Sequence, residues 1–524
     1  MKSRQLSRAR RSKATFLLNM LFKYNINILL LVIRVFFKGL IAGVACRGLK
    51  PHEICRQLFL SRRVVTESAE FDGGVVVDKN GVIESILTRD SVDALLQSGD
   101  RTMKVFDGGN LALMAGAVDS HVHVNEPGRT SWEGFVTATQ AAAVGGFTTI
   151  LDMPLNSIPP TTTLENLRIK AKAAREEVFV DVGFWGGAIP NNEKEYPSMI
   201  EAGVVGFKGF LIDSGVPEFP NLKVDDLEKV FAAFNGTQTV LAFHSELNDS
   251  NIRNDCDGSA FCTEPYLYDT YLATRPAQME LDAVSLIAKY IGEYDVHVHV
   301  VHVSAEGVVP ILEEARKQRI ASGNKRWRGG VTAETCHHYL TLASEQIPPG
   351  HTEYKCSPPI RNQANKEKLW QYIKDHRLDL IASDHSPSVR ELKGTNFLTA
   401  WGGVSSVQFG VSLFWTEAKA RGYPLSTVSR YLSSGPALMT GLQNKGMLKP
   451  GYDADMIYFD PEASFVLTPE IIMYKNKISP YMYRVLQGKV IHTFLRGRLI
   501  ATEGELFNGP QGELLINEDI VLNN

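Results

Sequence analysis

Val118-Asp119-Ser120-His121-Val122-His123-Val124-Asn125-Glu126-Pro127-Gly128-Arg129 completes an apolar strand, Leu111 to Val118, and runs into a turn carrying Asn, Pro and Gly. His121 and His123 are two residues apart, so on a strand they project from one face. Two imidazoles converging at the C-terminal end of a buried strand make half of a site for a divalent metal. Alone, the same pair also describes two polar residues on a wet face. The metal reading requires further ligands from elsewhere in the chain.

On either side of this stretch, apolar strands alternate with helical patterns. Strands are expected near 115–122, 147–153, 179–187, 204–211, 239–245, 296–303, 330–336 and 378–383. Helical stretches fall at Trp132 to Val144, Leu164 to Glu177, Val224 to Phe234, Pro276 to Ile291 and Ala305 to Arg319. Repeated βα units with eight buried strands predict an α/β fold, a TIM-like (β/α)8 barrel, with chemistry at the strand C-termini. Before the barrel, Gly74-Val75-Val76-Val77 and Val82-Ile83-Glu84-Ser85-Ile86 flank an Asn80-Gly81 turn, a strong hairpin signal. After it, Asp453 to Phe459 and Val490 to Arg498 return to the same style. The two chain ends therefore predict a small β-sandwich. The expected division is a basic, hydrophobic segment over 1–58, a composite sandwich over 59–112 and 440–524, and the barrel over 113–439.

Other strand ends supply the missing ligands. Lys208 sits in Val205-Gly206-Phe207-Lys208-Gly209-Phe210, where a buried ammonium is costly. It either snorkels or meets a carboxylate, or desolvation lowers its pKa until the amine captures carbon dioxide and the carbamate bridges two metals. His244 follows the apolar run Ala242-Phe243. In Val296-His297-Val298-His299-Val300-Val301-His302, alternation puts His297 and His299 on one face, in a structural role. His302, on the other face and nearest the C-terminal end, is the candidate ligand. Asp384 ends the eighth strand. Each has a bland explanation alone; five strands of one barrel ending this way do not.

The 524 residues, 44% hydrophobic with a formal charge of −3, give no basic excess for nucleic acid in the main body. The first fifty residues carry eleven Lys or Arg and no carboxylate before Glu53, and Ile26 to Ala45 is apolar but broken by Arg34 and Lys38. This fits a membrane anchor or an organellar leader. The expected location is a mitochondrion, a peroxisome or the endoplasmic reticulum membrane, with the cytoplasm as an alternative. Six cysteines without a CxxC pair read as mostly reduced thiols, Cys256 and Cys262 being the pair for a local bridge.

Asp119-x-His121-x-His123, Lys208 in its Gly-Phe-Lys setting, His244, His302 and Asp384 resemble, position by position, the ligand set of the cyclic amidohydrolases. The similarity runs from about Arg62 to Leu506. Within that group His123-Val-Asn125-Glu126-Pro127-Gly128-Arg129-Thr130, Trp132-Glu133-Gly134-Phe135, Asp152 to Ser157, Val182 to Gly187, Glu334-Thr335-Cys336-x-His338-Tyr339-Leu340 and Cys356 to Arg361 are most similar to the allantoinase family. His337 departs from it, since many relatives carry proline there; only local loop geometry is expected to change.

The resemblance implies two divalent ions, zinc first, with manganese, cobalt or iron as alternatives. His121, His123 and Asp384 would hold one, His244 and His302 the other, and a carboxylated Lys208 both. Two such ions ~3.5 to 4 Å apart repel by roughly 17 to 19 kcal/mol at an effective dielectric of 20, so bridging anions are needed. Asp384 would carry a proton to the departing ring nitrogen as allantoin opens to allantoate. Asn125, Asn156 and Ser386 are candidate ring-orienting residues. A homotetramer acting on a small molecule is implied as well. Dihydroorotase is disfavoured because Asn125 stands where its pattern has an arginine for the substrate carboxylate. Hydantoinase or dihydropyrimidinase activity is the nearer rival, and a non-catalytic scaffold lacks support given the complete ligand set.

Overall fold

The computed structural model describes residues 54–98, 103–248 and 264–522. Of the expected N-terminal segment 1–58 only residues 54–58 are described, and Gln57 and Leu58 already belong to the first strand; the Cys256–Cys262 bridge lies outside the described residues. Cys336 and Cys356 are buried free thiols. Cys55 is disulfide-bonded, so the reduced-thiol reading fails there.

Five strands precede the barrel: β1 (Gln57–Val65), β2 (Glu70–Val77), β3 (Ile83–Thr88), β4 (Lys104–Asp107) and β5 (Ala112–Ala115). The barrel strands are β6 (Ala117–Val122), β7 (Phe147–Asp152), β8 (Asp181–Gly187), β9 (Gly206–Phe210), β10 (Val240–His244), β11 (His297–Val300), β12 (Val331–Cys336) and β13 (Leu380–Ala382). They pair in that order, all parallel. Every residue of these eight strands is buried. Strands covered on both faces have that composition, because each side chain packs either into the barrel or under a helix. The ring closes between its first and last strands through a Val122–His385 bridge and a hydrogen bond from His123 N to the His385 carbonyl at 2.8 Å.

The outer helices show why the sequence turns helical between strands. In Val224–Phe234 the buried residues Leu227, Val230, Phe231 and Phe234 recur at helical spacing. Leu164–Ala174 starts where the Thr163 side chain accepts from Asn166 N. Boundaries shift where backbone geometry intervenes. The helix expected from Trp132 begins at Phe135, after Gly134 at φ 141°. The strand expected to reach residue 303 stops at Val300, and His302 turns left-handed at φ 37°.

β14 (Met456–Val466), β15 (Val485–Leu495), β16 (Arg498–Thr502) and β17 (Glu505–Leu506) return from the C-terminal end. They join β1–β5 in one nine-stranded sheet, β14 pairing antiparallel with β5. One face of β1 and β2 packs Phe59, Val75 and Val77 with Phe494 and Tyr458; the other packs Leu58, Leu60 and Val76 with Val92 of the helix Arg89–Gln97. Alternation along two strands thus fills two small cores. Gly116 alone separates β5 from β6, so this sheet is tied directly to the first ligand-bearing strand.

Candidate active site

The C-terminal ends of five barrel strands converge. On β6, His121 points Nε2 at Asp384 Oδ1, 3.3 Å away, and His123 Nε2 lies 3.4 Å from the same oxygen. Lys208 on β9 places Nζ 3.0 Å from His121 Nε2 and has no carboxylate within ion-pair distance among the described residues. His302 stands beside His121 and His244, with ring centroids 5.4 and 4.6 Å away. His121, His123, Lys208, His244, His302 and Asp384 are all buried. The structure therefore brings together every residue of the expected ligand set. His302 and Asp384 take positive φ, 37° and 44°, a conformation that non-glycine residues adopt at a cost of about 1 to 3 kcal/mol and that clusters at functional sites.

Three carboxylates stand behind this set; the sequence reading gives Glu334 and Glu246 no role and meets Asp119 only within the His121–His123 motif. Glu334 on β12 meets His121 Nδ1 at 2.6 Å and His302 N at 3.3 Å through one oxygen. Its other oxygen accepts from Ser120 Oγ and meets His299 Nε2, both at 3.2 Å. Glu246 fixes His244 through Nε2 at 2.7 Å and is ion-paired with Arg275. Asp119 Oδ1 accepts from Ser383 N at 3.1 Å across the barrel seam. His297 and His299 both bond Thr332 Oγ1, at 3.2 and 2.9 Å, which gives them the structural part. Cys336, His338 and Asp384 form a second buried donor group that shares Asp384. His337 is buried at the start of the helix His337–Thr341, not in a loop, and neither ring nitrogen has a partner.

Charge is arranged to suit cations. Burial drives His123 down to about 4, and His244 and His302 below the ordinary range, so their imidazoles are neutral and offer lone pairs. Burial pushes the Asp384 carboxyl up, but His121, the bond with His123 and the His302 ring outweigh it and hold the group well below its usual range. Burial lowers the Lys208 amine to about 8, against the pull of Asp384 and Glu334. His302 Nδ1 is buried without a hydrogen-bond partner. Neutral imidazoles, an ionised carboxylate and an orphaned nitrogen meeting at one point fit a divalent metal.

The group opens on a cavity of about 660 Å³ whose walls include His123, Asn156, Lys208, His244, His302, Asp384 and Ser386. Asn156 also faces His123 Nδ1 through its amide at 3.3 Å. Asn125 is absent from the wall: it is 1% exposed and donates to the Pro387 carbonyl at 3.3 Å.

An eightfold barrel with this constellation defines a hydrolase of the amidohydrolase type. The sequence pattern of that family, the amidohydrolase family, matches residues 112–500, and the chain belongs to it. The chain is 41% identical over 462 residues to the allantoinase of Streptomyces avermitilis, covering 87% of this chain and 98% of that protein. It is 48% identical over 420 residues to the mitochondrial allantoinase of Aquarana catesbeiana, covering 79% and 82%. Among solved structures, the L-hydantoinase of Arthrobacter aurescens superposes with a TM-score of 0.79 at 24% identity, over 88% of this chain and all of that one. That likeness is one of fold.

Proposed function

We propose that this protein is a cyclic amide hydrolase that opens allantoin to allantoate. The observation that carries the reading is the 41% identity to an allantoinase over 98% of that protein's length, on a chain that buries the whole donor set together. The hydantoinase likeness is confined to the fold.

His121, His123 and Asp384 would hold one divalent ion, zinc being first choice, and His244 and His302 a second, with Lys208 between them as a carbamate. A bare ammonium beside two cations would be repelled, whereas a carbamate offsets their charge. When bound, the metal centre supplies Lewis acidity, lowering the pKa of water and polarising the amide carbonyl. Asp384, at the cavity wall, would take the proton of the water that adds to the ring carbonyl and return it to the ring nitrogen as the C–N bond breaks. Glu334 and Glu246 fix the rings of His121 and His244, leaving the opposite nitrogen of each for the site. Asn156 and Ser386, both on the wall, orient the ring; Asn125 supports the Ser386–Pro387 backbone beneath it.

The test is ring opening by metal-loaded protein on allantoin, hydantoin and dihydrouracil side by side. Allantoin is expected to be preferred; preference for either other ring overturns the assignment. A tetramer and an organellar, mitochondrial location belong to the same proposal, the latter supported by the mitochondrial relative and the acid-free N-terminus. Among the described residues no helix is long and apolar enough to cross a membrane. Solution mass and the N-terminus of the mature protein test these points.

A further inference from the structure

The cavity has a cation on its wall that the chemistry above leaves idle. Lys355 lines the same space as Lys208 and Asp384 and is 8% exposed. No carboxylate among the described residues pairs with it. Its ammonium donates to the Ala400 carbonyl at 2.6 Å and the Leu398 carbonyl at 3.3 Å, and lies 4.9 Å over the Tyr271 ring. An ammonium has three N–H groups, so one is unspent. Arg275, the neighbouring cation on the wall, is committed to Glu246. Burial lowers Lys355 to about 8, helped by Arg275, which leaves the ammonium form in the majority at pH 7.

Lys393 supplies the contrast. It is equally buried and also bonds only to carbonyls of the same loop, Trp401 at 3.1 Å and Gly403 at 2.8 Å, but it does not line the cavity. Both lysines pin the loop over residues 398–403. Of the two, only Lys355 lines the cavity.

A buried cation without an acid is costly unless another acceptor completes its shell. A neutral substrate that presents a carbonyl oxygen does so without adding charge. Resting on the allantoin reading, we propose that Lys355 is a substrate-contacting specificity residue that donates its third N–H to the carbonyl oxygen of the exocyclic ureido arm. Hydantoin and dihydrouracil lack that arm, so Lys355 discriminates against them. A site built around such a donor holds the substrate that fills it and rejects the analogue that leaves it unpaired.

The experiment compares metal-loaded wild type, Lys355→Met and Lys393→Met on allantoin and hydantoin. Hydantoin is followed by turnover or, where turnover is too slow to read, by its competitive inhibition of allantoin hydrolysis. Lys355→Met also frees the 398–403 loop, so it is expected to lose about 30-fold more in kcat/KM on allantoin than on hydantoin, mainly through KM. Lys393→Met, which disturbs only the loop, should move both compounds together. Lys355→Leu replaces the methionine variant if that fails to fold, with the same expectation. Equal losses on the two compounds at position 355 overturn the inference while leaving the allantoin reading intact. Wild-type protein inert on allantoin overturns both.

Discussion

At Asp384 one oxygen receives two imidazoles, at 3.3 and 3.4 Å, on a residue whose backbone is itself held at positive φ. An amide has the same shape but can neither take up nor return a proton at neutral pH. Asp384→Asn is expected to retain its circular dichroism spectrum and lose at least about 100-fold in kcat, the typical worth of a placed general base; near-normal turnover would remove Asp384 as proton carrier. Lys208→Ala removes the only amine among the histidines, so bound metal and activity should fall together. Elemental analysis is expected to find fewer than one ion per chain on the general ground that metal sites lacking a ligand lose affinity. His337 makes the opposite kind of prediction. It starts a short helix after Cys336 in extended geometry, the conformation favoured before proline, and buries two unpartnered ring nitrogens. Proline suits a first helical position. His337→Pro should raise stability by about 1 kcal/mol, read as a higher urea midpoint.

Among the elements, β12 does the most and announces it least. Glu334 receives Ser120 and His121 from β6, His299 from β11, and the backbone of His302 just beyond it. Glu334→Gln keeps the shape but removes the charge that lies against His121. Metal affinity should fall about 10- to 100-fold in chelator competition, the usual effect of losing a partner behind a metal-bound histidine; unchanged affinity would reduce Glu334 to packing. Sequence could reveal the front of this site because His, Lys and Asp are conspicuous at the ends of apolar runs: His121, His244 and Asp384 each follow a stretch of Val, Ile, Leu, Ala or Phe. Glu334 stands inside Val331–Cys336 with nothing local to show its purpose, and its partners come from positions 120–121, 299 and 302. Such a role exists only after the strands have closed. Asn125 failed in the other direction: it lies beside the histidines in sequence, yet the turn carries it under the wall. Strand number and order were legible from the alternation of apolar runs and helical stripes. Strand ends were less so, because the left-handed turn at His302 leaves no trace in hydrophobicity.

For the whole molecule, the two chain ends and the barrel are joined by charge as well as by Gly116. Asp181 on β8 accepts Lys445 at 2.5 Å and Arg496 at 2.6 Å, and Lys445 also reaches Asp455 at 2.8 Å, ahead of β14. Such contacts are strongest near neutrality, and two buried histidines add an acid sensitivity of their own. Burial lowers both His297 and His337 to about 3. In the unfolded chain each returns to about 6.5, so between pH 6.5 and 3 the unfolded state binds two protons that the folded state refuses. A depressed histidine gives stability that is complete above pH 6.5 and is lost as pH falls towards 3. Each contributes a slope of about 1.4 kcal/mol per pH unit, so from pH 7 to pH 5 the pair costs about 4 kcal/mol. That is a large share of a net stability of roughly 5 to 15 kcal/mol. The double variant His297→Gln, His337→Pro removes both titrations whatever it does to stability at pH 7. Its urea midpoint should therefore move less between pH 7 and pH 5 than that of the wild type, by the equivalent of about 4 kcal/mol. Parallel pH profiles for the two proteins would mean that these imidazoles accept protons in the folded state, and that the interior around β11 and the helix His337–Thr341 admits water.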